Sequence, residues 1–284
     1  MKLFSAAQIK NWDSFTIKNE PTTSIDLMER AAIACTDWIT ERFGITNTFK
    51  IFCGKGNNGG DGLAIARLLI QKKLSLSVYI IEPGSEGSAD FKTNLQRLKD
   101  VSSDVYFLKD ISKFPSINKD EIIIDAIFGT GLNKRPSDIF ESLINHLNNS
   151  GAKIISIDTP GGLYADKSSV ANSVMRSCYT LTFQRTKLAF LMAENEPYPG
   201  KVVVLDIGLS KEYDKTENAE FELTDKNLIS KIYIPRKAFA NKGNYGYACL
   251  LAGSYGMMGA AILSARACLR SGVGKLSCYI CKEG

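Results

Sequence analysis

The chain has 284 residues, of which 44% are hydrophobic and 23% charged, a composition typical of a folded globular protein and not of a disordered one. The net charge of +5 is mild and the 35 lysines and arginines are spread along the chain, which argues against a nucleic-acid partner. No apolar run approaches the roughly 20 residues of a membrane helix, and seven cysteines without an export signal favour reduced thiols in the cytoplasm.

Two helices are predicted ahead of the first strand. A capping box at residues 5–8 begins the first helix, and the segment 21–24 breaks it. Thr23 or Ser24 can cap the second helix, and Gly44 is its stop signal. We expect the two helices to form an N-terminal extension to the domain that follows.

From residue 48 onward, short apolar strands alternate with helices. The predicted strands are 49–53, 77–81, 105–108, 121–125, 153–158, 178–183 and 201–206, and the predicted helices are 63–73, 89–99 and 140–148. Because most of these strands are continuously apolar, they are typical of a parallel sheet covered on both faces. The predicted fold class is a Rossmann-like three-layer α/β/α sandwich with a mostly parallel sheet.

A second unit is predicted after this sandwich. Residues 1–220 form the first predicted domain, and residues 237–284 form the incomplete start of another, with a strand at 247–252 and a helix through Arg270. About 48 residues cannot bury a sizeable core of their own, so we expect apolar side chains to be exposed there. These side chains include Ile262, Leu263 and Leu269.

The glycine-rich segment 54–62, GKGNNGGDG, is the strongest functional signal in the sequence. It lies between a predicted strand and a predicted helix, where backbone N–H groups can bind a pyrophosphate. Gly54, Gly56 and Gly59 fit the dinucleotide-binding fingerprint, and Glu82 ends the next strand. A conventional nicotinamide dehydrogenase is therefore one hypothesis for the function.

Three polar side chains in this segment depart from that fingerprint. Asn57 and Asn58 add amide oxygens and N–H donors, which suit a polar ring substituent or a cation. The fingerprint leaves the helix entrance clear for phosphate, and the Asp61 carboxylate would oppose a phosphate there electrostatically. Asp61 can equally be a helix cap, and the two roles are compatible.

Acidic residues also end three of the predicted strands. Ligands of open parallel sheets bind at the carboxyl ends of the strands, so we expect Asp125 and Asp158 at the same edge as segment 54–62. Turn capping is the alternative for both residues. Asp206 precedes a glycine turn and is interpreted as a strand terminator only.

Other polar residues give weaker signals. The loop 129–135, GTGLNKR, carries glycines that permit close approach to a ligand and two basic residues that can meet phosphate; a solvated loop is the alternative. His146, the only histidine, is predicted on the surface, so a Ser/His/Asp triad is not expected. Cys278 and Cys281 lack partner ligands for a metal.

Four segments in order resemble the NAD(P)H-hydrate epimerase family. They are CGKGNNGGDGLAIARLL (53–69), DAIFGTGL (125–132), SIDTPGGL (156–163) and VVVLDIGL (202–209). The resemblance covers about residues 1–210. Residues 241–275 resemble the opening of an ADP-dependent NAD(P)H-hydrate dehydratase domain, whose nucleotide-binding and catalytic parts lie further downstream in that family. Dehydratase activity is therefore not expected of this chain.

The resemblance implies epimerisation of the R and S forms of hydrated NADH and NADPH, in a protein that forms homodimers in this family. By position, it implies that the substrate contacts Asn57, Asn58, Gly59, Gly60, Asp61, Gly129, Thr130, Gly131, Leu132, Asn133, Lys134, Arg135 and Asp158. It further implies one potassium ion (K⁺) per subunit, bound by Asn58, Asp125 and the position of Gly161. The family has a serine at that third position, so Gly161 can offer only its backbone carbonyl.

The chemistry of such a substrate suggests a role for one carboxylate. A hydroxyl beside a ring nitrogen is a hemiaminal, so it can leave as the nitrogen lone pair forms an iminium, and water can return to the other face. We expect Asp158 to act as the catalytic acid and base. A non-catalytic nucleotide- or protein-binding module is a further alternative.

Overall fold

The computed structural model describes residues 1–44, 46–82, 86–136 and 138–282. The chain divides into two compact units, Met1–Leu223 and Thr224–Gly284. The first unit ends three residues beyond the predicted 1–220 domain, and residues 224–236 belong to the second unit. Glu283 and Gly284, the last residues of the predicted second domain, lie outside the described residues.

The helices and strands follow one another in the alternating pattern that the sequence indicates. The strands are β1 (Lys2–Leu3), β2 (Thr48–Cys53), β3 (Ser75–Ile81), β4 (Val105–Leu108), β5 (Ile122–Ala126), β6 (Lys153–Ile157), β7 (Tyr179–Phe183), β8 (Lys201–Leu205), β9 (Phe221–Glu222), β10 (Tyr247–Leu251) and β11 (Lys275–Tyr279). The α-helices are α1 (Ala6–Asn19), α2 (Ser24–Phe43), α3 (Asn57–Gln71), α4 (Ala89–Lys99), α5 (Asp138–Asn148), α6 (Lys211–Thr216), α7 (Lys226–Ile232) and α8 (Gly259–Arg270). Short 3₁₀ turns lie at Ile111–Lys113, Leu188–Leu191, Ala193–Asn195 and Lys242–Tyr245.

A central sheet with the order β4-β3-β2-β5-β6-β7-β8 forms the middle of the first unit, and each neighbouring pair is parallel. This confirms the predicted Rossmann-like class. From β2 the chain moves outward through β3 to β4, and from β5 it moves outward in the other direction to β8. The strand order therefore reverses between β2 and β5, and open α/β sheets bind their ligands at such a switch point.

Helices cover both faces of this sheet, which gives the predicted three layers. On one face, α2, α3 and α4 pack on the sheet, with Leu63 and Leu69 of α3 buried in the same cluster as Ile51. On the other face, α5 buries Leu143 and Leu147 in a separate cluster with β2 and β5 residues. Burying apolar area on both faces leaves the sheet edge at the strand ends as the place where loops can form a cavity.

The N-terminal helices begin at the predicted caps. The Ser5 hydroxyl accepts a hydrogen bond from Gln8 N–H at 3.2 Å, and the Thr23 hydroxyl accepts one from Asp26 N–H at 3.3 Å. Thr23 is thus the cap of α2, and Ser24 is its first residue. Helix α1 is fixed to the chain that follows β8, because the buried Trp12 donates from Nε1 to the Ser210 carbonyl at 2.8 Å. The antiparallel pair β1–β9, which was not predicted, joins the two ends of this unit.

Helix α3 corrects one prediction. The sequence predicts a turn over 54–62, but the helix already begins at Asn57. Gly56 is the N-cap residue and makes no side-chain capping bond, so the interpretation of Asp61 as a cap is wrong: it lies inside the helix. The glycines serve close packing, because a Cβ on Gly59 would overlap the Gly54 carbonyl and one on Gly62 would lie 2.5 Å from the Ala126 Cβ.

The second unit contains a short βαβ element in which β10 and β11 pair in parallel and α8 connects them. The helix ends at Arg270, as predicted. Ile262, Leu263 and Leu269 of α8 are half-exposed or more, which agrees with the expectation for a unit of this size. Across the described residues of both units, no helix has the length and apolar character that crossing a membrane requires.

Candidate active site

A cavity of about 820 Å³ opens at the carboxyl ends of β2 and β5, at the switch point of the sheet. Its walls come from α1, α2, the start of α3, the loop after β5 and the end of β6. The predicted substrate residues that line it are Asn57, Asn58, Asp61, Gly129, Thr130, Gly131, Leu132, Asn133, Lys134, Arg135 and Asp158. Two predicted residues do not line it: Gly59 packs on the Gly54 carbonyl, and Gly60 packs on the Met28 side chain.

Asp158 follows directly on β6 and faces this cavity. Its backbone has φ of +63°, a left-handed conformation that costs a non-glycine residue about 1–3 kcal/mol. Its Oδ2 accepts a hydrogen bond from Thr130 N–H at 2.9 Å, and its Oδ1 lies 3.4 Å from the Lys187 ammonium. The carboxylate thereby joins the loop after β5 to the segment after β7.

Sequence reasoning missed Lys187, which the structure makes the counter-ion of Asp158. Its side chain is only 1% exposed, and Nζ donates to the carbonyls of Phe183 and Arg185 at 3.1 and 3.2 Å. A buried ammonium needs an anion and further acceptors, and Asp158 with these carbonyls supplies both. The only signal was a lysine placed shortly after a strand end beside apolar residues.

Asp13 was also missed, because α1 was predicted only as an extension. It lines the cavity together with Asp158. Burial, and then the charge of Asp158, raise the pKa of Asp13 to about 7, and Lys187 opposes this shift. Asp13 therefore changes its protonation state near neutral pH.

Asp61 is a third carboxyl group of the same cavity. Burial raises its pKa well above the ordinary value, and the charges of Asp158, Asp13 and Asp90 raise it further. The folded protein thus keeps a proton on Asp61 at a pH where an unfolded chain would lose it.

Replacing Asp61 with Asn should remove a pH-dependent penalty on folding. Because the folded pKa lies above the unfolded value of 3.8, the folded state binds more protons, so wild-type stability falls as pH rises between the two values. The Asp61→Asn protein should lose less stability than the wild type between acidic and neutral pH. Urea midpoints followed by tryptophan fluorescence measure this, with the exposed Asp37→Asn as the control. If the urea midpoint changed equally with pH in Asp61→Asn and in wild type, this prediction would be contradicted.

Asn58, which lines the cavity, and Asp125, which does not, are the predicted side-chain ligands of a cation. Asn58 Nδ2 donates to the Ile157 carbonyl at 3.1 Å, while its buried Oδ1 has no hydrogen-bond partner within the described part of the chain. Asp125 is 0% exposed; its oxygens accept from Ile127 N–H, the Ser156 hydroxyl and Gly161 N–H, all uncharged donors. An orphaned amide oxygen and a buried carboxylate are each ligands that suit a hard monovalent cation.

The electrostatics of Asp125 agree with this interpretation. Burial raises its pKa to about 6, although the hydrogen bonds from Ser156, Gly161 and Ile127 oppose the shift. Above that pH the side chain is a buried anion. Gly161 brings no side-chain oxygen, and its carbonyl already accepts a 2.8 Å hydrogen bond from Met175 N–H.

Several other predicted residues lie at the rim or elsewhere. Lys134 and Arg135 are exposed, and the Arg135 guanidinium lies 3.3 Å from Glu141 of α5. His146, predicted on the surface, is half-buried, with Nε2 2.9 Å from the Pro115 carbonyl. Asp206 accepts from Gly208 N–H at 2.9 Å and forms the turn after β8.

Comparison with known proteins identifies relatives of this arrangement. A family model described as "YjeF-related protein N-terminus" matches residues 24–189. An NAD(P)H-hydrate epimerase of Limosilactobacillus fermentum is 32% identical over 203 residues, covering 71% of this chain and 95% of that protein. A bifunctional NAD(P)H-hydrate repair enzyme Nnr of Dictyoglomus turgidum is 33% identical over 282 residues, covering 96% of this chain and 54% of that enzyme.

The chain thus spans about half the length of the bifunctional relatives that it matches. Among solved structures, the crystal structure of yeast YNL200c matches with a TM-score of 0.63 at 19% identity, covering 80% of this chain and 98% of that one. At this level of identity, the structural match supports the fold.

Proposed function

The chain belongs to the family of YjeF-related N-terminal domains, and from this membership we propose that it interconverts the R and S forms of hydrated NADH and NADPH. The observation that carries the proposal is the convergence of segment 54–62, loop 129–135 and Asp158 on one cavity at the switch point of the sheet. A volume of about 820 Å³ is in the range of sites for cofactor-sized ligands.

The cavity offers groups for both ends of such a dinucleotide. No side chain caps the backbone N–H groups at the start of α3, so they can bind an anion of the substrate. Four basic side chains, Lys10, Lys55, Lys134 and Arg135, line the same cavity and complement phosphate charge. Asp158 lies in the interior, so the nicotinamide ring is the part of the substrate that meets the carboxylate.

Asp158 takes part in the proton transfers of the reaction. The hydroxyl of the hydrated ring leaves as water when it receives a proton, and the nitrogen lone pair forms the iminium. Water then adds to the other face and gives up a proton. The Thr130 N–H and the Lys187 ammonium hold the Asp158 carboxylate in one orientation for this chemistry.

A potassium ion would bind to the Asn58 amide oxygen and the Asp125 carboxylate. When bound, it supplies a positive charge that neutralises the buried carboxylate and fixes the Asn58 side chain. Gly161 contributes less than the serine of the family pattern, because it has no hydroxyl and its carbonyl is engaged by Met175.

Potassium chloride should raise the melting temperature of the wild-type protein more than choline chloride of equal ionic strength. A ligand that binds only the folded state stabilises it by about 2.7 kcal/mol at one hundred times its dissociation constant. The Asn58→Ala protein lacks the orphaned amide oxygen, so its melting temperature should respond equally to both salts. A potassium response retained in Asn58→Ala would rule out this ligand.

A conventional dehydrogenase is less well supported. That function needs an acidic side chain at the end of β3 to bind the ribose hydroxyls. Glu82 holds this position, but it is not among the residues that line the cavity, and its carboxylate lies 3.7 Å from the Lys109 ammonium.

The test of the proposed function is the rate at which the two epimers equilibrate. Hydrated NADH enriched in one epimer is incubated with the protein, and samples are resolved by chiral chromatography over time. We expect equilibration in proportion to protein concentration, well above the spontaneous rate. A binding module would bind the substrate and leave that rate unchanged, and an NADH oxidation signal with a keto acid would support the dehydrogenase.

A further inference from the structure

We propose that Asp13 of α1 is a second catalytic residue of this cavity, which donates a proton to the departing hydroxyl while Asp158 accepts one from the incoming water. This inference rests on the proposed epimerisation and extends it. Reversal of a stereocentre through a planar iminium needs water to leave one face and to arrive at the other. One carboxylate fixed at the end of β6 is poorly suited to both tasks, so a second group from another wall is required.

Asp13 is held by the residues on either side of it. Trp12 donates to the Ser210 carbonyl at 2.8 Å, and the Thr16 hydroxyl, one turn later, accepts from Ser210 N–H at 3.0 Å. These buried contacts fix the register of α1 against the chain after β8. Because Asp13 lies between them and lines the cavity, the orientation of its side chain follows from the packing of the helix.

The hydrogen bonding of the two carboxyl groups assigns their roles. Asp158 accepts from Thr130 N–H and faces the Lys187 ammonium, so its partners suit the negative form. Asp13 has neither a hydrogen-bond nor an ion-pair partner within residues 1–44, 46–82, 86–136 and 138–282, so its carboxyl group is available to a ligand. Two carboxyl groups with such different surroundings are typical of an acid and base pair.

The charges around Asp13 support this division. Asp158 after β6 and Lys187 after β7 act on it with opposite signs, and Asp61 of α3 interacts with it as well. Burial and then the charge of Asp158 raise the pKa of Asp13 to about 7, and Lys187 opposes this shift. A general acid with a pKa close to the working pH combines a sufficient protonated fraction with ready release of its proton.

The proton and bond changes balance without an oxidant or reductant. The Asp13 carboxylic acid protonates the ring hydroxyl, the C–O bond breaks to release water, and the nitrogen lone pair forms the C=N⁺ bond. Water adds to the other face, the π electrons return to nitrogen, and the Asp158 carboxylate takes the proton. The net result is one proton moved from Asp13 to Asp158, which exchange with water in the open cavity reverses. For the opposite epimer, Asp158 donates the proton to the departing hydroxyl and Asp13 accepts one from the incoming water.

The experiment compares pH profiles of kcat and KM for wild type, Asp13→Asn, Asp13→Glu and Asp37→Asn, with chiral chromatography of the epimers as the readout. Asp13→Asn should lower kcat about 10²-fold or more, with little change in KM. Because the protonated carboxyl group is the active form, wild-type kcat/KM should fall as pH rises through about 7. This alkaline limb should disappear in Asp13→Asn, shift but persist in Asp13→Glu, and stay unchanged in the exposed Asp37→Asn.

The outcomes separate the two proposals. A wild-type protein that does not epimerise hydrated NADH overturns the function itself. An active wild type overturns the role of Asp13 if Asp13→Asn keeps the wild-type kcat and alkaline limb. If Asp13→Asn does not fold, the wild type and Asp13→Glu decide: a wild-type profile that is flat across neutral pH overturns the role, and a limb that moves in Asp13→Glu supports it.

Discussion

Replacing Asp158 with Asn should lower the rate of epimerisation about 10²–10⁴-fold, and the fold should be retained at reduced stability because the buried Lys187 ammonium loses its counter-ion. The amide cannot exchange a proton at neutral pH, but its oxygen can still accept the Thr130 N–H hydrogen bond seen at 2.9 Å. Asn is also among the non-glycine residues that best tolerate a left-handed backbone, so the φ of +63° is preserved. The loss should therefore appear in kcat, measured from initial rates of epimer exchange.

Asp206→Asn is the matched control for this variant. Asp206 also follows a strand of the sheet, but it is exposed and accepts a hydrogen bond from Gly208 N–H within its own turn. The same chemical change at that position should leave the rate unaltered. If Asp158→Asn keeps full activity while Asp206→Asn behaves as wild type, the assignment of Asp158 as the acid and base is refuted.

Most of the fold could be predicted because its strands are continuous apolar runs with clear ends. Helix α4 and strand β4 have the predicted bounds, and the other strands of the central sheet differ by two residues at most at each end. The capping box at Ser5 marked the start of α1 for the same local reason. The pair β1–β9 could not be predicted, since two-residue strands carry no periodicity and depend on a partner more than 200 residues away.

The candidate site was predictable only where a single segment carried the signal. Asn57, Asn58 and Asp158 belong to short segments that follow strand ends, and the structure brings them to one cavity. Asp13 and Lys187 carry no such local signal, because the importance of a buried charge depends on which neighbours surround it. Loops that approach a ligand are therefore easier to recognise from the sequence than the buried charged residues that shift the pKa values of the site.

The start of α3 shows why a glycine-rich segment was misread. Glycine lowers helix propensity by up to about 1 kcal/mol per residue, so propensity alone places the helix after the last of these glycines. Tertiary packing decides otherwise, since Gly59, Gly60 and Gly62 lie where α3 meets the Gly54 carbonyl, α2 and the strands β2 and β5. A segment that looks like a flexible turn is therefore a helix packed too closely for side chains.

Replacing Gly59 with Ala tests this explanation, because helix propensity and close packing predict opposite changes in the free energy of unfolding. Helix propensity alone predicts that Ala stabilises an interior helical position by about 0.5–1 kcal/mol. The structure predicts the opposite, because the added Cβ would overlap the Gly54 carbonyl oxygen, a backbone atom that cannot rotate away. The destabilisation should reach or exceed the upper end of the about 1–3 kcal/mol typical of overpacking, a large part of the stability of an ordinary domain.

Urea unfolding followed by tryptophan fluorescence reports on the unit that contains Gly59, because both tryptophans of the chain, Trp12 and Trp38, lie in the first unit. Gly56→Ala is the control: a Cβ at that N-cap position meets no atom within 4 Å, so its cost should stay within about 1 kcal/mol. A Gly59→Ala protein at least as stable as wild type would contradict the close contact between α3 and the turn after β2 as the reason for a glycine at this position.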